Sequence, residues 1–241
     1  MSHTNVYFKF ILLITAPALV VFFAFAGPAF SYELFDWETG AAGYEIALMD
    51  AEDDEKPLVL FFHIGSSVWN TKMKDEYLGA EEVEKFLRDI PKVEINPDRE
   101  ETEKLLSANF KVEQYPAFFV FIPSFKGKPQ RIHPFGKKDM TAGEFLERVK
   151  AVIVYQYNEK GVSYFQKKDY KNVLKYLEIS MEYDSNKAYT FYAMGVVYNS
   201  MAAEANDMEL LKKAEENYQR ALKIDPNHKE SMEALKKLQK K

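Results

Sequence analysis

Cysteine is absent from this 241-residue chain, and its absence excludes a class of chemistry before any motif is considered. Disulfide exchange needs a thiolate as the attacking group, and neither a hydroxyl nor a carboxamide replaces it. The chain therefore forms no disulfide and carries no thiol redox centre. With 47% hydrophobic and 15% aromatic residues, it is expected to draw its stability from a sizeable apolar core.

An excess of positive charge is also missing. The 32 Lys and Arg residues are outnumbered by 37 Asp and Glu residues, which gives a formal net charge of −5. Without a basic stripe to neutralise phosphates, no nucleic-acid partner is expected. The lysines within residues 236–241 are interpreted as a solvated helix end, where the helix dipole favours positive charge.

The motifs of common active sites are missing as well. There is no glycine-rich phosphate loop and no Gly-x-Ser-x-Gly segment. His63, His133 and His228 have no partner at metal-ligand spacing, and the acidic run 52–55 lacks the layout of a calcium loop. His63 is interpreted as a structural residue. We therefore predict no metal, no cofactor, no catalytic residue and no enzyme activity.

The most informative segment that is present covers residues 61–74, with the letters FFHIGSSVWNTKMK. It resembles the redox segment of the thioredoxin family, in which an apolar strand leads into Trp-Cys-x-x-Cys and a methionine follows. In this alignment Ser67 and Asn70 stand at the two cysteine positions, and Met73 stands at the methionine. The resemblance implies a thioredoxin-like domain that has lost its redox chemistry. As residues, Ser67 and Asn70 are interpreted as caps of the helix that follows.

Further segments support this resemblance. Apolar or alternating runs predict strands at 56–62, 92–96, 117–122 and 130–134. Helical patterns lie around and between them, at 43–51, 68–77, 80–89, 100–107 and 141–154. Residues 112–116 resemble the family's Val-x-x-Tyr-Pro, which implies a cis bond between Tyr115 and Pro116. The resemblance covers residues 35–153 and implies an α/β fold with a central mixed sheet and flanking helices.

Residues 1–31 are predicted to be a targeting segment. Lys9 precedes an apolar run over residues 10–30, and the first acidic residue that follows is Glu33. This order of charges predicts export to the periplasm or another extracytoplasmic space. Two alternatives stay open. One is a signal peptide cleaved near Gly27 or Tyr32, which the small residues favour, and the other is an uncleaved membrane tether through residues 10–30.

After residue 153 the strand signals stop and two similar units appear. Both carry an aromatic–Gly–Tyr spacing, at Tyr157, Gly161 and Tyr164 and again at Phe191, Gly195 and Tyr198. The units resemble the tetratricopeptide repeat, although the second has an insertion at 202–210 and Val173 and Ser180 replace small residues in the first. The resemblance implies that residues 154–241 form an all-α domain of two repeats and a capping helix. No linker precedes it, so helix 141–154 is expected to continue into the first repeat.

Two candidate binding surfaces follow from these resemblances. In the thioredoxin family the redox loop and the cis-proline segment form a shallow peptide groove, which would be lined here by Trp69, Tyr115 and Pro116. Trp69 is either exposed there or packed beneath the loop. In the repeat family the inner helix positions bind extended peptides. The matching residues are Tyr155, Asn158, Val162, Phe165, Tyr189, Tyr192, Val196 and Asn199.

These features predict a non-catalytic exported scaffold or adaptor that binds protein or peptide partners. The alternative is an envelope chaperone or assembly factor that binds unfolded segments, and an enzyme with unrecognised chemistry ranks third. The repeat face is either open to a partner or already occupied by the protein itself.

Overall fold

The computed structural model describes residues 34–65, 67–126 and 128–238. The predicted targeting segment at 1–31, including the possible tether at 10–30, lies outside the described residues. Within those that are described, no helix is long and apolar enough to cross a membrane.

The first part of the described chain contains a five-stranded mixed sheet with the strand order β1-β3-β2-β4-β5. The strands are β1 (Glu38–Thr39), β2 (Leu58–Phe62), β3 (Lys92–Ile95), β4 (Ala117–Phe121) and β5 (Gln130–Ile132). Strand β3 is parallel to β1 and β2, whereas β4 is antiparallel to both β2 and β5. With helices on both faces, this is a thioredoxin-like fold, as the sequence predicts. The sequence patterns missed β1, which is only two residues long and exposed.

Helices cover the two faces of this sheet. They are α1 (Gly40–Asp53), α2 (Val68–Lys72) with a π-helical continuation (Met73–Leu78), α3 (Glu81–Leu87), α4 (Glu101–Asn109) and α5 (Ala142–Phe165). Because side chains alternate along a strand, β2 contributes to both cores. Val59 and Phe61 pack on one face with Met73 and Phe145, while Leu60 and Phe62 pack on the other with Ala47.

The rest of the described chain is helical. It consists of the second half of α5 and of α6 (Tyr170–Tyr183), α7 (Ala188–Ala205), α8 (Met208–Ile224) and α9 (Lys229–Leu238). Helix α5 packs against α6, α7 against α8, and α8 against α9. The insertion predicted at 202–210 lengthens α7 and α8 at the turn that joins them.

Glycine permits the close approach of the paired helices. A Cβ atom on Gly195 of α7 would lie 2.5 Å from Cε1 of Tyr218 on α8. A Cβ atom on Gly161 of α5 would lie 3.1 Å from the carbonyl oxygen of Val173 on α6. The two glycines of the sequence pattern therefore lie where paired helices approach each other closely.

Helix α5 belongs to both parts of the chain. It runs unbroken for 24 residues from a capping box formed by Thr141 and Glu144. Its Gln156 side chain accepts a hydrogen bond from the backbone N–H of Ile122, at 2.8 Å. The hydroxyl of Tyr157 donates to the carbonyl oxygen of Glu55, at 2.7 Å. The expectation that helix 141–154 continues past residue 154 without a break is confirmed.

Helix α6 also packs against the sheet-bearing part. Tyr176 belongs to the same core as Phe61, and its hydroxyl donates to a carboxylate oxygen of Glu55, at 2.7 Å. Lys160 lies over the rings of Phe125 and Tyr176, with its ammonium 4.9 Å and 5.9 Å from the two ring centres. The helical part therefore shares a core with the sheet.

Candidate functional site

The loop after β2 holds the residues that align with the missing cysteines. Ser67 is the N-cap of α2, and its hydroxyl accepts a hydrogen bond from the backbone N–H of Asn70, at 3.1 Å. An N-cap hydroxyl satisfies a helix N–H group that would otherwise lack a partner. The predicted capping role of Ser67 is therefore confirmed.

The predicted capping role of Asn70 is wrong. Its side chain is 4% exposed, and its amide nitrogen donates to the carbonyl oxygens of Ile64 and Gly65 instead. Asn70 is the third residue of α2, so its side chain reaches back across the loop. There it holds Gly65, whose φ of +45° suits glycine. Asn70 thus fixes the loop shape from inside.

Introducing two cysteines tests this alignment directly. We expect the variant Ser67→Cys/Asn70→Cys to form a disulfide under mild oxidant, because a helix N-cap and its third residue lie close together. Thiol titration before and after oxidation measures the product, and circular dichroism reports folding. Ser67→Cys alone is the control and should keep one free thiol. A folded double variant whose thiols both stay free contradicts the alignment.

Trp69 lies on the outside of this loop. Its side chain is 50% exposed, and its ring lies 5.0 Å from that of Phe135. The ammonium of nearby Lys72 pairs with Asp139, at 2.7 Å. Of the two alternatives for Trp69, the structure favours exposure over burial beneath the loop.

Tyr115 and Pro116, the other predicted groove residues, do not pack against Trp69. The bond between them is cis, as the resemblance implies, and Pro116 is buried. The hydroxyl of Tyr115 hydrogen-bonds to that of Ser107, at 2.5 Å, and its ring packs on the core under α1 and α4. Trp69 instead contacts Phe135, which belongs to the other core. Each of the two predicted groove aromatics thus packs beside a different core, and no ring contact joins them among the described residues.

A cluster of His63, Lys74 and Glu94 around the buried Glu94 carboxylate lies beside this loop, and sequence reasoning did not find it. Nε2 of His63 lies 2.6 Å from Oε1 of Glu94, and the ammonium of Lys74 lies 2.5 Å from the same oxygen. Burial alone would raise the pKa of the Glu94 carboxyl, but its hydrogen bonds to His63 and Lys74 lower that pKa to about 2. The sequence signal that could have revealed this cluster is the alternation of side chains along β3, which places Glu94 on a face of the sheet that is covered by a core.

Metal-ligating groups do not gather elsewhere in the part of the chain that the structure describes. Among those residues, no cluster of three or more His, Cys, Asp or Glu side chains is placed to hold a metal ion.

Aromatic side chains on α5 and α7 form an open face. Tyr155 on α5 is 62% exposed and Tyr189 on α7 is 46% exposed. The ring of Tyr189 lies 6.3 Å from that of Tyr192, which is half-buried. Burial raises the pKa of Tyr189, and Glu159 and Tyr155 add to the shift. We call Tyr155, Tyr189 and Tyr192 the aromatic face.

The aromatic face leads into a groove between α7 and α9. This groove has a volume of about 510 Å³ and is lined by Tyr192, Val196 and Asn199 of α7 and by Glu230 and Glu233 of α9. The ring of Tyr192 lies 6.0 Å from Tyr218 and 5.3 Å from His228. The side-chain oxygen of Asn199 is buried and has no hydrogen-bond partner among the described residues.

Two candidates do not belong to the aromatic face. Asn158 is 4% exposed, and its amide donates to the hydroxyl of Thr190 on α7, at 3.0 Å. Phe165 is half-buried at the end of α5, with its ring edge-on to Tyr170 at 5.8 Å. Both side chains join helix to helix because α5 packs against α6 and α7 at these positions.

No protein-family model matches this chain, and no curated protein matches it. Among solved structures, the DsbH oxidoreductase is 23% identical, with a TM-score of 0.41 over 60% of this chain and 93% of that one. A thioredoxin from Thermus thermophilus is 20% identical, with a TM-score of 0.40 over 50% and 89%.

A third solved structure is the oxidised C-terminal domain of Neisseria meningitidis DsbD. It is 18% identical, with a TM-score of 0.39 over 48% of this chain and 98% of that one. The assignment of the fold rests on the strand order and orientation described above.

Proposed function

We propose that this chain is a non-catalytic exported adaptor that binds protein partners through its helical part. In this proposal the thioredoxin-like domain has no redox role. The helices from α5 to α9 are two tetratricopeptide repeats and a capping helix. The close helix contacts at Gly161 and Gly195 support that interpretation, because they occur at the same place in both units.

The observation that carries the proposal is the exposure of the aromatic face. A tyrosine on a helix surface loses apolar burial unless a partner covers it, and aromatic anchors dominate interface energies. The insertion is not placed to cover this face. Tyr189 lies in the first turn of α7, whereas the insertion begins at its far end, roughly 20 Å away at 1.5 Å per residue.

A photo-crosslinking amino acid at position 189 tests the proposal and separates it from its alternative. Crosslinking in cells to one defined partner supports the adaptor. Crosslinking to many unrelated unfolded chains supports the envelope chaperone. The same amino acid at position 113, which is exposed on the sheet-bearing part, is the control for random collision.

With the crosslinked partner in hand, we expect Tyr189→Ala to weaken its binding about tenfold, which corresponds to about 1.4 kcal/mol. Trp69→Ala should weaken binding less, because Trp69 lies on the sheet-bearing part. Titration of the partner against each variant measures this, with circular dichroism as the folding control. Equal losses for the two variants, or unfolding of Tyr189→Ala, contradict the proposal.

A further inference from the structure

A second groove lies between the edge of the sheet and α5. Its volume is about 670 Å³. One wall is formed by the four consecutive residues 130–133, which include β5, and the other by Arg148, Ala151, Val152 and Tyr155 on one face of α5. Strand β5 pairs with β4 on one side only, and no strand of the described chain pairs with its other side. An unpaired strand edge offers backbone groups to another extended chain.

An adjoining groove of about 430 Å³ shares Gln130 and Tyr155 with the first. Gln156 lines it and is 8% exposed. Its side-chain oxygen accepts from Ile122, but its amide nitrogen is buried and has no acceptor within the described ranges. A buried donor without an acceptor costs stability, so this donor favours a ligand that supplies an oxygen.

The charges along the two grooves are mainly positive. Arg131 and Arg148 line the first groove, and Lys128 and Lys160 line the second, where Glu159 is the acidic residue. Arg148 is exposed and has no ion pair with any described residue. The carboxylates that precede it on α5 are engaged, since Glu144 accepts from the Thr141 N–H and Glu147 pairs with Lys150.

We propose that this groove binds an acidic, extended segment of a partner protein, which adds to β5 as a further strand. Backbone hydrogen bonds to β5 would supply affinity, and carboxylates opposite Arg148 and Lys128 would supply specificity. Tyr155 would cover the apolar side chains of that segment. The site goes beyond the proposed function, because it uses the sheet edge, and Tyr155 is the residue that it shares with the aromatic face.

Two synthetic peptides test this site. Both carry fluorescein. In the glutamate peptide valine alternates with glutamate, and in the lysine peptide valine alternates with lysine. We expect the glutamate peptide to bind more tightly in fluorescence anisotropy, and Arg148→Glu to weaken it at least tenfold. Arg88→Glu is the matched control, because Arg88 is also exposed but lies just after α3, and it should leave the affinity within about twofold.

Hydrogen exchange locates the bound peptide. Amides of residues 130–132 should gain protection when the glutamate peptide is added, whereas protection only elsewhere overturns strand addition. Equal affinity for the two peptides, no binding, or equal losses for Arg148→Glu and Arg88→Glu also overturn the proposal. The peptide assay uses no cellular partner and the crosslinking at position 189 uses no peptide, so the failure of the adaptor proposal and the failure of this one are distinguishable.

Discussion

Acidification from pH 5 to pH 2 should lower the free energy of unfolding by about 3 kcal/mol through protonation of the Glu94 carboxylate. The pKa of this carboxyl falls from 4.5 to about 2 in the folded protein. Each unit of pKa difference corresponds to about 1.36 kcal/mol. Because the folded pKa is depressed, the contribution is present in full above the unfolded pKa. It is lost as the pH falls through the folded one.

Urea denaturation of the wild type and Glu94→Gln at several pH values measures this effect. Other carboxylates also titrate in this range, so the informative quantity is the difference between the two unfolding free energies. That difference should be largest near pH 7, where the variant leaves His63 and Lys74 without their buried partner. It should shrink by about 3 kcal/mol at pH 2.

Glu113→Gln is the matched control for this comparison, since Glu113 is exposed and lies outside the cluster. Its unfolding free energy should follow that of the wild type at every pH. A wild type and a Glu94→Gln variant that lose stability in parallel between pH 5 and pH 2 contradict the role given to the cluster.

Gly195→Ala should destabilise the protein by about 2 kcal/mol, although alanine is favoured over glycine within helices by about 1 kcal/mol. The new Cβ atom would lie 2.5 Å and 2.6 Å from two ring atoms of Tyr218. That ring is 2% exposed and lies 6.0 Å from the ring of Tyr192, so a shift of the Tyr218 ring has to displace packed neighbours. Overpacking of a rigid contact outweighs the gain in helix propensity.

Gly143→Ala provides the control, because it lies in the first turn of α5 and its nearest described neighbours would be 3.9 Å from the new Cβ atom. It should keep or raise stability, since only the propensity gain remains. Urea denaturation of both variants gives the comparison. A Gly195→Ala variant as stable as Gly143→Ala would show that α7 and α8 do not pack as closely as described.

The sheet and its helices could be predicted because local patterns decide them. Strands β2 and β4 are apolar runs too short for helices and rich in aromatic or β-branched residues, and they are buried throughout. The unbroken α5 could be predicted because no proline or glycine interrupts the sequence between 144 and 160. Strand β1 carries no such pattern, since its two residues pair only with β3.

The details of the site depended on contacts that no local pattern contains. Glu94 meets Lys74 across 20 positions of sequence, because β3 and the π-helical continuation of α2 are brought together by the sheet. The neighbours of Tyr115 follow from α4, which offers it the Ser107 hydroxyl. Repeat spacing placed Asn158 and Phe165 beside Tyr155, but packing of α6 and α7 on α5 takes up their side chains.

The unbroken α5 fixes the spacing between two surfaces of the chain. Its face from Arg148 to Tyr155 lines the groove at the sheet edge, and its later turns pack against α7, which carries Tyr189 and Tyr192 of the aromatic face. Without a flexible joint between these surfaces, the distance between them is set by the helix. A partner with two docking motifs then gains avidity only when its own spacing matches that distance. The same partner with a shorter or longer connector would bind through one motif at a time.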